Sequence, residues 1–291
     1  MPTLREPDDD RRTIEELITL YSIEPGLRDV IVEGRMDKAF ISWYVREHDI
    51  ESTVYAIDDL AYVPAEVLES RGIEMGNRGR VLGLAFEVNG KIGPHSLTFT
   101  VDSDFRFLIA DGMTYPDSVL FTDFSSIEGY VLNPRTLEKF LRLVVGTTEE
   151  SGDTLLKRIQ SALVELYFVR VSIKRLNSGD GLVDNVERCL SLKDHVATLD
   201  AVELIKRSLR ERDLKELALT SYSELVSTHG KSTLEHIRGH DIARIIIFTL
   251  RLGKKLGPAE AVEKSLVGCL ELVDLDHHQM FIRLRERLTA A

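Results

Sequence analysis

One stretch, DVIVEGRMDKAFISWY at residues 29–44, joins a short apolar run to a longer segment with helical periodicity. The run from Asp29 to Glu33 is rich in β-branched residues, which is typical of a short buried strand. Gly34 follows at once and is expected to let the backbone turn sharply. The apolar residues after it recur at the spacing of a helix that ends near His48. Strand, glycine turn and helix together begin a β-α-β unit.

Short apolar runs and helical patterns alternate after this stretch as far as about residue 150. Further strands are predicted at residues 52–57, 96–101 and 118–122, while residues 80–88 fit either a helix or a strand. Alternation of this kind predicts an α/β fold, in which a mostly parallel sheet is flanked by helices.

The sequence beyond about residue 150 is predicted to be wholly helical. Its helices are expected at residues 155–173, 183–198, 201–210, 213–227, 233–252 and 258–273. We therefore expect three parts in chain order. These are a leader with one helix at residues 1–25, an α/β domain at residues 26–148, and an all-helical C-terminal domain at residues 149–291.

The composition is that of an ordinary globular protein, with 43% apolar and 29% charged residues. No apolar run approaches the roughly 20 residues that span a bilayer. Residues 1–12 are polar and acidic, unlike a secretory signal, and the two cysteines lie far apart in the chain. We therefore expect a cytoplasmic protein without a membrane partner.

The formal net charge of −11 at first argues against a polyanionic partner. The charge is uneven, because residues 1–150 hold 15 Lys and Arg against 28 Asp and Glu. The remaining residues are slightly basic, so a surface that binds phosphates is expected in the second half of the chain.

Three carboxylates follow predicted strands: Glu33 follows the first strand, and Asp102 and Asp104 follow the strand at residues 96–101. Ligands of an open parallel sheet bind beyond these carboxyl ends. Asp102 and Asp104 are two residues apart, so their side chains point to the same side while the backbone stays extended. Mg²⁺ needs only a few carboxylates and stabilises the charge that develops when a phosphodiester is cleaved. Taken singly, each acid also fits a solvated turn or a helix cap, but the combination predicts a magnesium site.

The same residues resemble the motifs of the Toprim domain, which is shared by topoisomerases, primases, small RNA-maturing nucleases and OLD-family nucleases. Residues 30–40 are similar to its first motif and residues 101–105 to its second, and the resemblance covers roughly residues 28–145. Within the family, the chain most resembles a group of stand-alone bacterial proteins that includes the AriB-like effector nucleases of the PARIS anti-phage system. The segment FTDFSSIEGYVL at residues 121–132 is similar to that group's Ser-Ile-Glu-Asn-Tyr motif, except that Gly129 stands where Asn is expected.

The resemblance implies a role for each matching acid. Glu33 would act as a general acid/base or a metal ligand, and Asp102 and Asp104 would hold Mg²⁺ or Mn²⁺. Glu128 would bind a second metal ion. Asp37 would be a further ligand or would fix the start of its helix. For both Glu128 and Asp37, a surface charge or a helix-capping role is the alternative.

Four residues are expected to contact nucleic-acid phosphates. Gly34 and Lys38 lie at the start of the first β-α-β helix, where a phosphate finds room beside the helix N-terminus. Arg170 and Lys174 share one face of the helix predicted at residues 155–173. The alternative for these basic residues is a solvated face of an amphipathic helix.

Two further motifs fit other chemistry less well. His236 and His240 are spaced like the zinc ligands of a helix, but the metalloprotease glutamate is missing, so a solvated or capping role fits better. The Gly-Lys-Ser sequence at residues 230–232 lacks the earlier glycine of a P-loop, and no strand precedes it. ATP hydrolysis by this chain is therefore not expected.

The resemblance implies one function and one alternative. The first is a Mg²⁺-dependent nuclease that cleaves RNA, with transfer RNA favoured over DNA, and that serves anti-phage defence. Its expected partner is an ABC-type, OLD-like ATPase subunit that holds it inactive, and its active state is expected to be a homodimer. The alternative is a non-catalytic Toprim adaptor that binds the ATPase.

Overall fold

The structure is a computed structural model that describes residues 11–231, 233–253 and 256–290. Residues 1–10 of the predicted leader therefore lie outside the described residues. The strands are β1 (Asp29–Val32), β2 (Val54–Ala56), β3 (Leu97–Val101), β4 (Val119–Phe121), β5 (Leu190–Lys193) and β6 (Val196–Leu199). The α-helices are α1 (Ile14–Ile23), α2 (Arg35–Glu47), α3 (Ile57–Leu60), α4 (Ala65–Glu69), α5 (Asn77–Val88), α6 (Pro134–Phe140), α7 (Gly152–Arg175), α8 (Ala201–Ser208), α9 (Arg212–His229), α10 (Gly239–Thr249), α11 (Ala259–Val267), α12 (Leu272–Leu275) and α13 (Gln279–Thr289).

The first four strands form a parallel sheet in the order β2-β1-β3-β4. All residues of β1 and β3 are buried, including Asp29 and the two threonines of β3, as expected of strands covered on both faces. The segment whose type was left open, residues 80–88, belongs to helix α5. The predicted α/β class with a parallel sheet is thereby confirmed.

Helices cover both faces of this sheet. On one face, Leu17 of α1 and Leu84 of α5 are buried in one core cluster with Phe99 of β3. On the other face lies α13, whose Arg287 Nε donates a hydrogen bond of 3.1 Å to Thr98 Oγ1 of β3. Because side chains alternate along a strand, Phe99 and Thr98 point to opposite faces. The helix that covers the Thr98 face thus comes from a distant part of the chain.

Contacts divide the chain into two compact units. The first unit comprises Met1–Asp102, Gly112–Thr122 and Asp276–Ala291, and the second comprises Ser103–Asp111 and Asp123–Leu275. The first unit contains the parallel sheet and α13. The domain limits predicted at residues 25/26 and 148/149 rest on the sequence and stay predictions.

The second unit is mainly helical, but the prediction of an all-helical C-terminal domain is wrong. The segment predicted as a helix at residues 183–198 contains an antiparallel hairpin, in which β5 pairs with β6. Asp194 and His195 form its turn, with φ of 49° and 66°. A two-residue type I′ turn requires positive φ at both positions. The run LSLKDHVATL at residues 190–199 alternates apolar and polar residues on each side of this turn, which is the period of a strand.

Helix α7 is the central helix of the second unit. It extends over 24 residues, and its part from Ala162 to Ile173 is buried at every position except Arg170. Helices α6, α9 and α10 and strand β6 pack against it. Of the helices in the described residues, none has the length and apolar character needed to cross a membrane.

Candidate metal sites

The carboxyl edge of the parallel sheet carries the first candidate site, which lies in the first unit. Glu33 follows β1 and Asp102 follows β3, and these two strands are neighbours in the sheet. The backbone N–H of Asp102 donates a hydrogen bond of 2.9 Å to Glu33 Oε1. This bond holds the Glu33 carboxylate against the end of β3. The structure thus brings together two of the three acids that were predicted to form the centre.

The first turn of α5 contacts the same edge. Asn77 Nδ2 donates a hydrogen bond of 2.9 Å to the carbonyl oxygen of Glu33, and Arg78 Nε donates one of 3.2 Å to the carbonyl oxygen of Asp102. Arg78 is therefore a half-buried cation beside two acidic residues, and a guanidinium is well suited to bind a phosphate. Neither side chain was predicted from the sequence. The available signal was the basic, glycine-containing run GNRGR at residues 76–80.

The start of α2 is organised by a helix cap. Asp37 Oδ2 accepts a hydrogen bond of 2.9 Å from the backbone N–H of Gly34. This bond fixes the start of the helix, which is one of the two roles predicted for Asp37. The chain bends at Glu33 and Gly34 as predicted, but Gly34 has an extended φ of −140° that any residue adopts, so the bend does not depend on glycine. Lys38 Nζ lies 3.2 Å from Asp59 Oδ2 in a half-exposed ion pair. Metal binding by Asp37 and phosphate binding by Gly34 and Lys38 stay predictions.

Asp104, the third predicted acid, belongs to the second unit, because the boundary falls between Asp102 and Ser103. Its backbone is held on both sides. The N–H donates a hydrogen bond of 2.7 Å to the carbonyl oxygen of Ser125, and the carbonyl oxygen accepts one of 2.6 Å from the Tyr167 hydroxyl. Asp104 has φ of 45°, so the backbone is not extended there. The argument that Asp102 and Asp104 point to the same side depended on an extended backbone and therefore does not apply.

A second candidate site lies in the second unit, where Glu128 meets His240 and Glu263. One ligand atom from each side chain lies within 4.8 Å of the other two. His240 Nδ1 is 3.2 Å from Glu263 Oε1. Glu128 is buried, Glu263 is partly buried and His240 is exposed, so the cluster opens to solvent on one side. These three side chains could hold a metal ion, although only Glu128 was predicted as a ligand.

Three elements bring these side chains together. Glu128 lies in a single 3-10 turn, Ile127–Val131, while His240 lies in the first turn of α10 and Glu263 in α11. The glycine at position 239 permits the close approach, because a Cβ there would overlap Glu128 Oε2 and Ser126 Oγ. His240 and Glu263 are far from Glu128 in the sequence, so no local spacing could have indicated the cluster.

The charged groups of the cluster shift the pKa values of His240 and Glu263. The hydrogen bond that the Glu263 carboxylate accepts from His240 raises the pKa of His240 despite partial burial, and the negative charges of Glu128 and Glu263 add to this effect. The same hydrogen bond lowers the pKa of Glu263. The imidazole ring therefore lies where positive charge is favoured. A metal ion bound there would compete with the proton, since a histidine ligand must be neutral.

His236, which the sequence spacing paired with His240, has a different environment. It is buried, and its ring stacks on Tyr167 with the centroids 5.9 Å apart and the planes inclined by 8°. Burial lowers the pKa of His236 to about 4, and the nearby His229 contributes to the same effect. Helix α10 begins only at Gly239, so His236 lies outside it. The two histidines do not form the zinc pair that their spacing would permit.

The fork of the Arg170 guanidinium, predicted to contact nucleic acid, binds a side chain of the second unit. Its Nε and Nη2 donate hydrogen bonds of 2.9 and 2.8 Å to the two carboxylate oxygens of Asp241. Both side chains are largely buried, and the pair links α7 to α10. Asp241 therefore occupies two of the Arg170 donors, and contact of Arg170 with nucleic acid stays a prediction. Lys174, one turn further along α7, is exposed, and its contact with nucleic acid stays a prediction.

No protein-family model matches this chain, and no curated protein matches it either. The resemblance to Toprim domains therefore rests on the sequence motifs described above and enters the proposal that follows.

Proposed function

We propose that this chain is a metal-dependent nuclease of the Toprim type, which cleaves phosphodiester bonds at a centre built on Glu33 and Asp102. The sequence motif adds Asp104 to this centre. The observation that carries the proposal is the hydrogen bond from the Asp102 N–H to Glu33 Oε1, at the carboxyl edge of a parallel sheet. That edge is where sheets of this class bind their ligands.

The side chains at this edge suit the chemistry of phosphodiester cleavage. The carboxylates of Glu33 and Asp102 are hard oxygen ligands, which Mg²⁺ and Mn²⁺ prefer. The ion they hold would act as a Lewis acid and stabilise charge on the reacting oxygens. Arg78, which is anchored on the Asp102 carbonyl oxygen, would bind a phosphate oxygen of the substrate. The centre therefore combines metal ligands with a phosphate-binding cation.

The biological part of the proposal rests on the family resemblance. The proposed substrate is RNA, and transfer RNA is favoured over DNA. The proposed biological role is anti-phage defence. An ABC-type, OLD-like ATPase subunit controls the chain, and the active form is a homodimer. The competing function is a non-catalytic adaptor that binds the same ATPase through a Toprim fold.

The decisive variant is Glu33→Gln. Its amide oxygen can still accept the hydrogen bond from Asp102, so the strand ends keep their contact while the negative charge is removed. Glu51→Gln is the matched control, because Glu51 is an exposed glutamate just before β2, at the opposite edge of the sheet. Both variants and the wild type are expressed in a bacterium, and the integrity of RNA and DNA is measured together with growth.

We expect the wild type and Glu51→Gln to degrade RNA and arrest growth. Cleavage by Glu33→Gln should fall by about 100-fold or more, because a charged group that acts on the transition state is lost. Purified chains are then incubated with transfer RNA and DNA in Mg²⁺, in Mn²⁺ and in a chelator. Cleavage that is equal in wild type and Glu33→Gln, or that continues in the chelator, would refute this centre. Equal harmlessness of all three folded chains would favour the adaptor.

A further inference from the structure

We propose that Glu128, His240 and Glu263 bind a transition-metal dication, Zn²⁺ or Mn²⁺, in preference to Mg²⁺. All three residues belong to the second unit. Glu33 and Asp102, on which the nuclease proposal is built, belong to the first unit, so the two sites can be tested separately, although the family resemblance also assigns a second metal ion to Glu128.

The distances between the ligand atoms of the three side chains are close to the distances between ligands of a bound ion. Ligands about 2.0–2.2 Å from a tetrahedral Zn²⁺ are about 3.4 Å from one another. His240 Nδ1 and Glu263 Oε1 are already 3.2 Å apart. The atom of Glu128 lies within 4.8 Å of both. Small side-chain rotations therefore suffice to place all three atoms around one ion.

Glu128 is buried beside the other two side chains of the cluster. The residue is only 8% exposed. Among the described residues, its carboxylate faces His240 and Glu263, and no lysine, arginine or backbone amide donates a hydrogen bond to it. A hydrogen bond also joins Glu128 to Glu263, so both carboxyl groups and the imidazole converge on one point. A dication would balance both carboxylates.

The backbone is shaped to hold Glu128 at this position. A Cβ at Gly239 would overlap Glu128 Oε2, so glycine is the residue that admits the carboxylate at the start of α10. The Gly239 N–H donates a hydrogen bond of 3.1 Å to Ser126 Oγ, and Ser125 Oγ donates one to the carbonyl oxygen of Ile237. These bonds tie the turn that carries Glu128 to α10 without any metal. The ligands are thus preorganised, which is what a binding site requires.

The types of ligand select the metal. An imidazole suits Zn²⁺ and other first-row transition metals, whereas Mg²⁺ prefers oxygen ligands and retains several waters. With one nitrogen and two carboxylates, affinity should rise from Mg²⁺ through Mn²⁺ to Zn²⁺. Three protein ligands leave coordination positions open, and the exposure of His240 gives water or a substrate oxygen access to them.

The test measures metal binding by the full chain. The purified protein is dialysed against a chelator and titrated with Zn²⁺, Mn²⁺ and Mg²⁺ by calorimetry, and its metal content is then determined by mass spectrometry. His240→Gln and Glu263→Gln remove one ligand each. Glu260→Gln is the matched control in α11, because Glu260 is exposed and pairs with Lys264. His277→Gln controls for the loss of a surface histidine.

We expect one Zn²⁺ per chain, with affinity at least tenfold lower in His240→Gln and in Glu263→Gln and unchanged in both controls. Glu33→Gln should bind Zn²⁺ like the wild type, which separates this site from the proposed nuclease centre. Circular dichroism of the metal-free proteins checks that each variant folds. No Zn²⁺ binding by the wild type, or the same binding by His240→Gln and the wild type, would overturn the inference. Tighter binding of Mg²⁺ than of Zn²⁺ would do so as well.

Discussion

Acidification should destabilise the second unit through one buried side chain, His236. Its ring is 5% exposed and stacks on Tyr167, and its Nδ1 has no hydrogen-bond partner among the described residues. Burial lowers its pKa from 6.5 to about 4, and the nearby His229 adds to the effect. The folded unit therefore holds this imidazole neutral at pH values where the unfolded chain would protonate it.

The magnitude follows from the two pKa values. A change from 6.5 to about 4 in the pKa of His236 corresponds to about 3 kcal/mol. Because the folded pKa is the lower one, the unfolded chain binds the proton more readily as the pH falls. The contribution of neutral His236 to the free energy of unfolding is fully present above pH 6.5 and is lost as the pH falls towards 4. It is a large part of the roughly 5–15 kcal/mol that stabilises a typical domain.

His236→Phe tests this reasoning, because phenylalanine keeps a ring in the aromatic cluster and cannot bind a proton. Urea unfolding is followed by far-ultraviolet circular dichroism between pH 7.5 and 4.5. Over this range the wild type should lose about 2–3 kcal/mol more than His236→Phe. His277→Phe, at an exposed position, controls for the removal of a histidine. If the wild type and His236→Phe lose stability in parallel as the pH falls, His236 is not held neutral in the folded protein.

Three further substitutions should lower stability, as measured by urea unfolding. Gly152→Ala would place a Cβ against a backbone oxygen of α6 and should cost about 1–3 kcal/mol, so an unchanged midpoint would contradict this packing. Asp241→Ala would leave the largely buried Arg170 without its partner and should cost about 3–5 kcal/mol. Replacing Arg170 by Met in the same chain should recover part of this loss, and no recovery would count against the ion pair. Gly129→Asn, which introduces the residue expected from the family, would place its Cβ against Phe124, and Phe124→Ala should relieve that clash.

The parts of the fold that local sequence patterns encode were predictable. Strands β1 and β3 are buried throughout and, apart from Asp29, consist of apolar and β-branched residues, so their composition stands out from their surroundings. The hairpin of β5 and β6 was missed because each strand has only four residues, so its alternation is short between helical patterns. The docking of α13 on the sheet joins Arg287 to Thr98, and no periodicity reports a contact between such distant residues.

The candidate sites were likewise predictable where local sequence patterns encode them and not where they depend on contacts between distant residues. Glu33 and Asp102 were predictable because each directly follows a recognisable strand, and parallel strands bring their carboxyl ends to one edge. Arg78 reaches that edge from the start of a helix whose first turn was not predicted. His240 and Glu263 reach Glu128 from two different helices, so their meeting depends on tertiary packing. The proximity of residues that depends on strand order was therefore predicted, and the proximity that depends on helix packing was not.

The position of α13 has a consequence for the synthesis of the protein. The ribosome completes β4 at Phe121 but reaches α13 at Gln279 only after the whole second unit. At about 5–20 residues per second, this interval lasts roughly 10–30 s. During that time Thr98 and its neighbours lack the helix that covers them, and Phe40 and Tyr44 of α2 lack their contact with Phe281. A nascent chain therefore carries Glu33 and Asp102 on a sheet that still lacks α13 on one of its faces.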